Sequence, residues 1–292
     1  MSCAPRWTPR WPRSKALLAA LLLAAPALAP RPARAGELDL FPRPNEIFPL
    51  LLADPRQIQL SASYYRLDGQ NTSDIALGHS WGLTRGRVGT GTPLPWLWEA
   101  DVEGMAYSRF KVAGGVNEFQ TVDFFANLPV TVRRGGVAFK GVLFHESSHL
   151  GDDYIRRTGD TGFRYSSEGL RGLASLDVSP VLRLYGGSEW LIHRVPAVGR
   201  WTLQAGVELV SPDLGWSAQA PTHLFLAEDL QSHERVAWNV DSHLVCGLRL
   251  GFRKNPTRSM RFQLGWFDGH SPYGQFYAQR THYADVSLVF EL

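Results

Sequence analysis

The sequence predicts an all-β protein, a transmembrane antiparallel β-barrel of about twelve strands. Three observations lead there. From about residue 56 the chain becomes a series of short segments in which apolar and polar residues alternate. A segment of export type precedes the series. The last segment sets Ala284, Val286, Leu288, Phe290 and Leu292 against Asp285, Ser287, Val289 and Glu291. Alternation with period two puts each set on its own face of a strand.

Taken in order, residues 1–35 read as a cleaved secretory signal. Arg6, Arg10, Arg13 and Lys15 are its basic region, Ala16 to Ala25 its apolar stretch, and Ala33-Arg34-Ala35 a small-x-small cleavage site. The apolar stretch falls short of the roughly 20 residues of a spanning helix, although an uncleaved anchor is the alternative. The formal net charge is +3, from 30 Lys and Arg against 27 Asp and Glu. Six basic residues and no acid leave with the signal (Arg31 and Arg34 are the other two), so +3 less 6 gives −3 for the mature chain. No basic patch for nucleic acid remains. Cys3 leaves too, so Cys246 stands alone and no intramolecular disulfide is possible. No later apolar run reaches the roughly 18 residues of a membrane helix.

Residues 36–55 are punctuated by proline and carry apolar clusters at Phe41, Ile47, Phe48 and Leu50 to Leu52. They read as a periplasmic lead-in or a plug. The barrel is assigned to 56–292. Its first segment opposes Gln57, Gln59, Ser61 and Ser63 to Ile58, Leu60, Ala62 and Tyr64. Eleven more follow near 75–83, 96–108, 119–132, 136–149, 166–178, 181–193, 201–210, 222–230, 238–250, 260–268 and 277–292. Compact turns at Arg133-Arg134-Gly135, Ser179-Pro180, 211–215 and 254–257 alternate with longer loops at 67–74, 109–118 and 150–165. Short turns on one side and long loops on the other fit periplasmic and extracellular ends. Trp and Tyr recur near segment ends, as in interfacial girdles. A soluble β-sandwich or barrel is the competing reading, because alternation alone does not reveal which face meets lipid.

One stretch carries candidate chemistry: His145-Glu146-Ser147-Ser148-His149. Read as His-Glu-x-x-His on a helix, it would hold zinc between two imidazoles, with Glu146 as general base. The β-forming, glycine-containing run before it argues against a helix. Read as a strand, His145, Ser147 and His149 share a face with Val137, Phe139 and Leu143, and Glu146 and Ser148 lie opposite with Lys140. His145 and Ser147 would then face lipid near the extracellular rim. In the same phase the next strand brings Glu168 to that rim, where it could orient His145. Glu146, His149, Asp152 and Asp153 are candidate metal ligands, with Ca²⁺ the possible ion. Asp152, Asp153, Arg156 and Arg157 could instead anchor a loop by ion pairs. His79, His193, His223, His243, His270 and His282 show no metal spacing and read as lumen or loop residues.

His145-x-Ser147 resembles the pair found in outer-membrane phospholipase A and the lipid A deacylase. That resemblance implies Ser147 as nucleophile and His145 as base. It departs after the serine, where those families usually carry Asn and this chain has Ser148. Separately, Leu51-Leu52-Ala53-Asp54-Pro55-Arg56 and Ser147-Ser148-His149-Leu150-Gly151-Asp152 resemble the two signatures of a bacterial family of uncharacterised exported proteins, presumed to lie in the outer membrane.

The expectation is therefore an outer-membrane barrel of a Gram-negative bacterium, with membrane lipid and the barrel-assembly machinery as partners. It would act as an acyl ester hydrolase on phospholipid or lipopolysaccharide through His145, Ser147 and Glu168. A non-catalytic structural or channel-forming barrel, with Lys140 and Glu146 tuning the lumen, is the alternative. A zinc protease is the remote one.

Overall fold

The computed structural model describes residues 38–89, 91–113, 116–252 and 255–291. The segment read as a signal with its cleavage site, Cys3, Gly114-Gly115, Lys254 and Leu292 lie outside them. A two-residue strand, β1 (Asp39–Leu40), pairs with the edge of a larger sheet. The barrel strands are β2 (Leu60–Leu67), β3 (Gln70–Val88), β4 (Trp96–Ala113), β5 (Val116–Arg134), β6 (Val137–Leu150) and β7 (Tyr165–Ser179). They continue with β8 (Leu182–Val195), β9 (Trp201–Val210), β10 (Thr222–His233), β11 (Val240–Phe252), β12 (Asn255–His270) and β13 (Arg280–Glu291). Each pairs antiparallel with its sequence neighbour, and β13 pairs with β2 from Asp285↔Tyr65 to Phe290↔Leu60. The sheet closes into a twelve-stranded barrel, and the edge that remains is the length of β3 beyond β2, on part of which β1 pairs.

The alternation resolves into an inverted pattern. On β13, Thr281, Tyr283, Asp285, Ser287, Val289 and Glu291 are buried inside, while Val286 is 58% exposed outside. Asp74, Asp123, Asp229 and Arg261 are buried within, and Leu128, Val130, Leu264 and Trp266 lie open on the outside. A water-soluble barrel would reverse this. An apolar belt around a charged interior is the arrangement of a barrel whose outer solvent is hydrocarbon.

Two connections differ from the sequence reading. Residues 67–74 are no long loop: Asp68 (φ 49°) and Gly69 (φ 77°) make a two-residue hairpin, and pairing resumes at Leu67↔Gln70. Asp-Gly suits a turn that needs positive φ at both central positions. Residues 109–118 likewise belong mostly to strands, because β4 and β5 pair out to Ala113↔Val116.

Residues 47–59 run through the barrel interior as a plug. Phe48 and Leu51 pack on Ala138, Leu173 and Tyr185; Leu52 and Ala53 pack on Phe225, Ala227 and Val245. Burial of each large apolar side chain contributes about 1.5–3 kcal/mol. Wall side chains satisfy the backbone of this plug. Arg261 donates to the Leu52 carbonyl (2.9 Å), His243 to the Ala53 carbonyl (2.7 Å), and the Leu52 N–H donates to Glu208 (2.7 Å). Asp54 pairs with Arg171 at 2.5 Å. Arg56 pairs with Asp123 at 2.9 Å and Glu146 at 3.2 Å. Burial pushes the Asp54 carboxyl up, but Arg171, the Arg56 N–H and Gln204 outweigh it and hold it below the ordinary aspartate range. Burial works against the Arg56 charge, and Asp123 and Glu146 outweigh it, so this guanidinium is held above its usual value.

The β6–β7 connection carries α1 (Asp152–Thr158), which ends at Gly159 with φ 73°. Asp153 accepts from Phe119 N (3.1 Å), and Arg157 donates to Glu118 (2.6 Å). These contacts fasten α1 to β5. The β12–β13 connection folds inward as a strap, with Ser271 to Phe276 all buried.

Candidate active site

The outer face of β6 near the α1 end brings the candidate residues together. Val137, Phe139, Gly141, Leu143 and His145 are exposed, and Ala138, Lys140, Val142 and Phe144 are buried inside. His145 and Ser147 therefore stand on the apolar outer face. Strand geometry removes the zinc-protease reading. Residues 137–150 form β6 rather than a helix, so Glu146 points away from His145 and His149.

Glu168 lies directly across from His145 in the β6–β7 ladder, and Ser166 lies across from Ser147. His145 Nδ1 and Glu168 Oε1 are 2.8 Å apart. An ionised carboxylate only accepts, so Nδ1 carries the hydrogen and Nε2 keeps its lone pair in the neutral ring. The side chains of His145 and Glu168 are 45% and 38% exposed. Ser147 Oγ has no hydrogen-bond partner among the described residues. Phe124, across from Ser147 in the β5–β6 ladder, lies exposed beside it, as do Leu143 and Leu170 below.

The sequence reading missed His193. It sits on β8 and shares Glu168: its Nδ1 lies 2.5 Å from Oε2. Strict alternation would turn it inward, since Trp190 is exposed and Leu191 is buried. The β7–β8 ladder shifts register between Glu168↔His193 and Gly169↔Leu191, which leaves Ile192 as an extra residue. Such a bulge re-aims side chains, and both Ile192 and His193 come out exposed. Ile192, one apolar position too many before a histidine, is the only sequence sign of this.

The candidate metal ligands are dispersed. Glu146 faces the lumen and binds Arg56. His149 is exposed on the outer face, its ring 6.1 Å from that of Phe124. Asp152 and Asp153 open α1, where Asp153 is held by Phe119 N and Arg156. Among the described residues no three His, Cys, Asp or Glu side chains lie close enough to hold a metal ion. Of the remaining histidines, His243 faces the lumen as read, while His282 is exposed on the outer face.

The profile of the family described as "Protein of unknown function (DUF1207)" matches residues 38–292. No curated protein matches the sequence. Among solved structures, an active-site mutant of outer membrane phospholipase A from Escherichia coli is similar. It has a TM-score of 0.51 and 11% identity, and the match covers 81% of this chain and 92% of that one. The calcium-bound phospholipase dimer from Salmonella typhi gives 0.50 and 9%, with 81% and 93% covered. A KdgM porin gives 0.41 and 8%, with 80% and 99% covered. At such identities the two phospholipase matches are likenesses of fold alone, and the fold is that of bacterial outer-membrane barrels.

Proposed function

This chain belongs to the DUF1207 family of proteins of unknown function, and we propose that it is an acyl ester hydrolase of the bacterial outer membrane, acting on phospholipid or lipopolysaccharide from the lipid side. The observation that carries this reading is the outward-facing set of Ser147, His145 and Glu168, with Glu168 on Nδ1 of His145 at 2.8 Å. A nucleophile, a base and an orienting carboxylate are the parts that serine acyl transfer requires. Their place beside Phe124, Leu143 and Leu170 suits a substrate whose chains lie in hydrocarbon.

In this mechanism Ser147 Oγ attacks the ester carbonyl while His145 Nε2 takes its proton. Glu168 holds the imidazole in the required tautomer and stabilises the imidazolium. Collapse of the tetrahedral intermediate expels the alcohol, which receives the proton from His145. Water, deprotonated by the same nitrogen, then releases the fatty acid and restores Ser147. The Ser147–His145 hydrogen bond is left to form with substrate, as catalytic hydrogen bonds often tighten only in the complex.

The test uses refolded protein with phospholipid or lipopolysaccharide in mixed micelles, with and without Ca²⁺. Fatty acid release by the wild type and its loss in folded Ser147→Ala is the expected result. Release from neither lipid under either condition would exclude the reading. The second reading, a non-catalytic barrel, draws support from the plug: a lumen occupied by residues 47–59 suits a structural barrel better than an open channel.

A further inference from the structure

The inner face of β6 is gripped at two adjoining positions. His145 and Ser147 alternate with Glu146 and Ser148, which point into the lumen. Glu146 accepts from Arg56 of the plug (3.2 Å). Ser148 is held by Gln275 of the strap: Oγ accepts from the Gln275 N–H (2.9 Å), and its carbonyl from Gln275 Nε2 (2.9 Å). The same amide donates to the Phe163 carbonyl (2.7 Å) and accepts from Phe163 N (3.2 Å). Gln275 thus bridges the end of β6 and the approach to β7, the strands that carry Ser147 and Glu168.

Plug and strap meet on one carboxylate. Asp123 Oδ2 accepts from Arg56 Nη2 and from the Gly274 N–H, each at 2.9 Å. Tyr273 of the strap stacks on Tyr107 at 4.7 Å and lies against Arg109, whose guanidinium carbon is 4.3 Å from the ring centroid. Space is tight here as well. A Cβ on Gly274 would come within 2.6 Å of Ser148 Cβ and 2.8 Å of the Tyr165 ring.

We propose that plug and strap form an internal clamp that fixes the backbone of the His145–Ser147 pair from behind, with Arg56, Asp123 and Gln275 as positioning residues. Its catalytic consequence rests on the hydrolase reading; its structural content does not. The pair sits near a strand end, where ladders fray, and each of its inner neighbours is tied to a different segment anchored in the lumen. A misplacement of about 1 Å costs roughly a hundredfold in rate, so an internal brace at this point acts on kcat.

The experiment places a nitroxide label at Ser147→Cys, or at Phe139→Cys on the same outer face as a control, in full-length protein with Cys3 and Cys246 replaced by serine. Gln275→Leu, Gly274→Ala and the mild Arg56→Lys are then introduced, and barrel closure is checked by heat-dependent gel mobility. The clamp predicts greater label mobility at 147 and none at 139. In the Ser147 background it predicts a kcat lowered by roughly 10–100-fold with KM within about twofold, and a smaller loss for Arg56→Lys. An unchanged label at 147 in closed Gln275→Leu and Gly274→Ala barrels overturns the clamp, whatever the activity. A mobile label in a protein that hydrolyses nothing leaves the clamp standing and removes the hydrolase reading.

Discussion

Glu168 serves two imidazoles at once, and the two contacts have unequal consequences. In the proposed hydrolysis, Glu168→Gln removes the charge that stabilises the His145 imidazolium and offers Nδ1 an amide that can donate as well as accept, so kcat is expected to fall by about a hundredfold or more, the scale of general acid–base catalysis. His193→Ala removes one of two donors to a carboxylate that still holds His145. A loss of about tenfold is expected, the worth of one charge-assisted hydrogen bond. Equal losses in steady-state kinetics would argue against the unequal roles given to the two contacts. In the lumen, Asp54→Ala leaves the Arg171 guanidinium without its buried partner and is expected to cost about 3 kcal/mol, read from urea unfolding. The sign of the pH dependence follows from the depressed Asp54 carboxyl. Its contribution is complete above the unfolded aspartate value of 3.8 and fades as pH falls below that toward the lowered folded value. Urea midpoints followed below pH 4 in wild type and Asp54→Asn would reveal it, and parallel curves would argue against it.

The same contrast between pattern and exception governs the elements. Regular alternation carried Val137, Phe139, Leu143, His145 and Ser147 to one face, and strand phase brought Glu168 to the same rim; both were legible in the sequence. His193 was not, because a bulge is one inserted residue and period-two reasoning has no place for it. Deleting Ile192 should close the bulge and leave His193 directly after the inward Leu191, still outward across from Glu168. Diethylpyrocarbonate would then modify the same number of exposed histidines, and activity would be kept. One fewer modified histidine would show that the ladder shifts instead and carries His193 inward. The hairpin at Asp68-Gly69 was hidden for a different reason: polar residues 70–74 look like a loop until their pairing partners are known. The plug was legible only as apolar clusters, since the lumen side chains that receive it come from strands far away in sequence.

At the scale of the whole molecule, an inverted barrel with a filled lumen makes a prediction about permeation. The intact protein is expected to conduct poorly in planar bilayers, and a chain lacking residues 38–56 to conduct strongly if circular dichroism shows the barrel retained. Large conductance from the intact protein would mean that the plug leaves the lumen readily. The heights of the strands add one more consequence. Beyond Thr121, the partner of Leu150, β5 continues through residues 116–120 and remains paired with β4. On the other flank the β8–β9 ladder stops at Trp190↔Trp201, below His193. The rim is thus a parapet on one side and a doorstep on the other. In the proposed hydrolysis, a glycerolipid entering from the low side is expected to arrive one way round and to offer the same one of its two esters first. Unequal release of the two fatty acids from a mixed-chain phospholipid would record that handedness, and equal release would deny it.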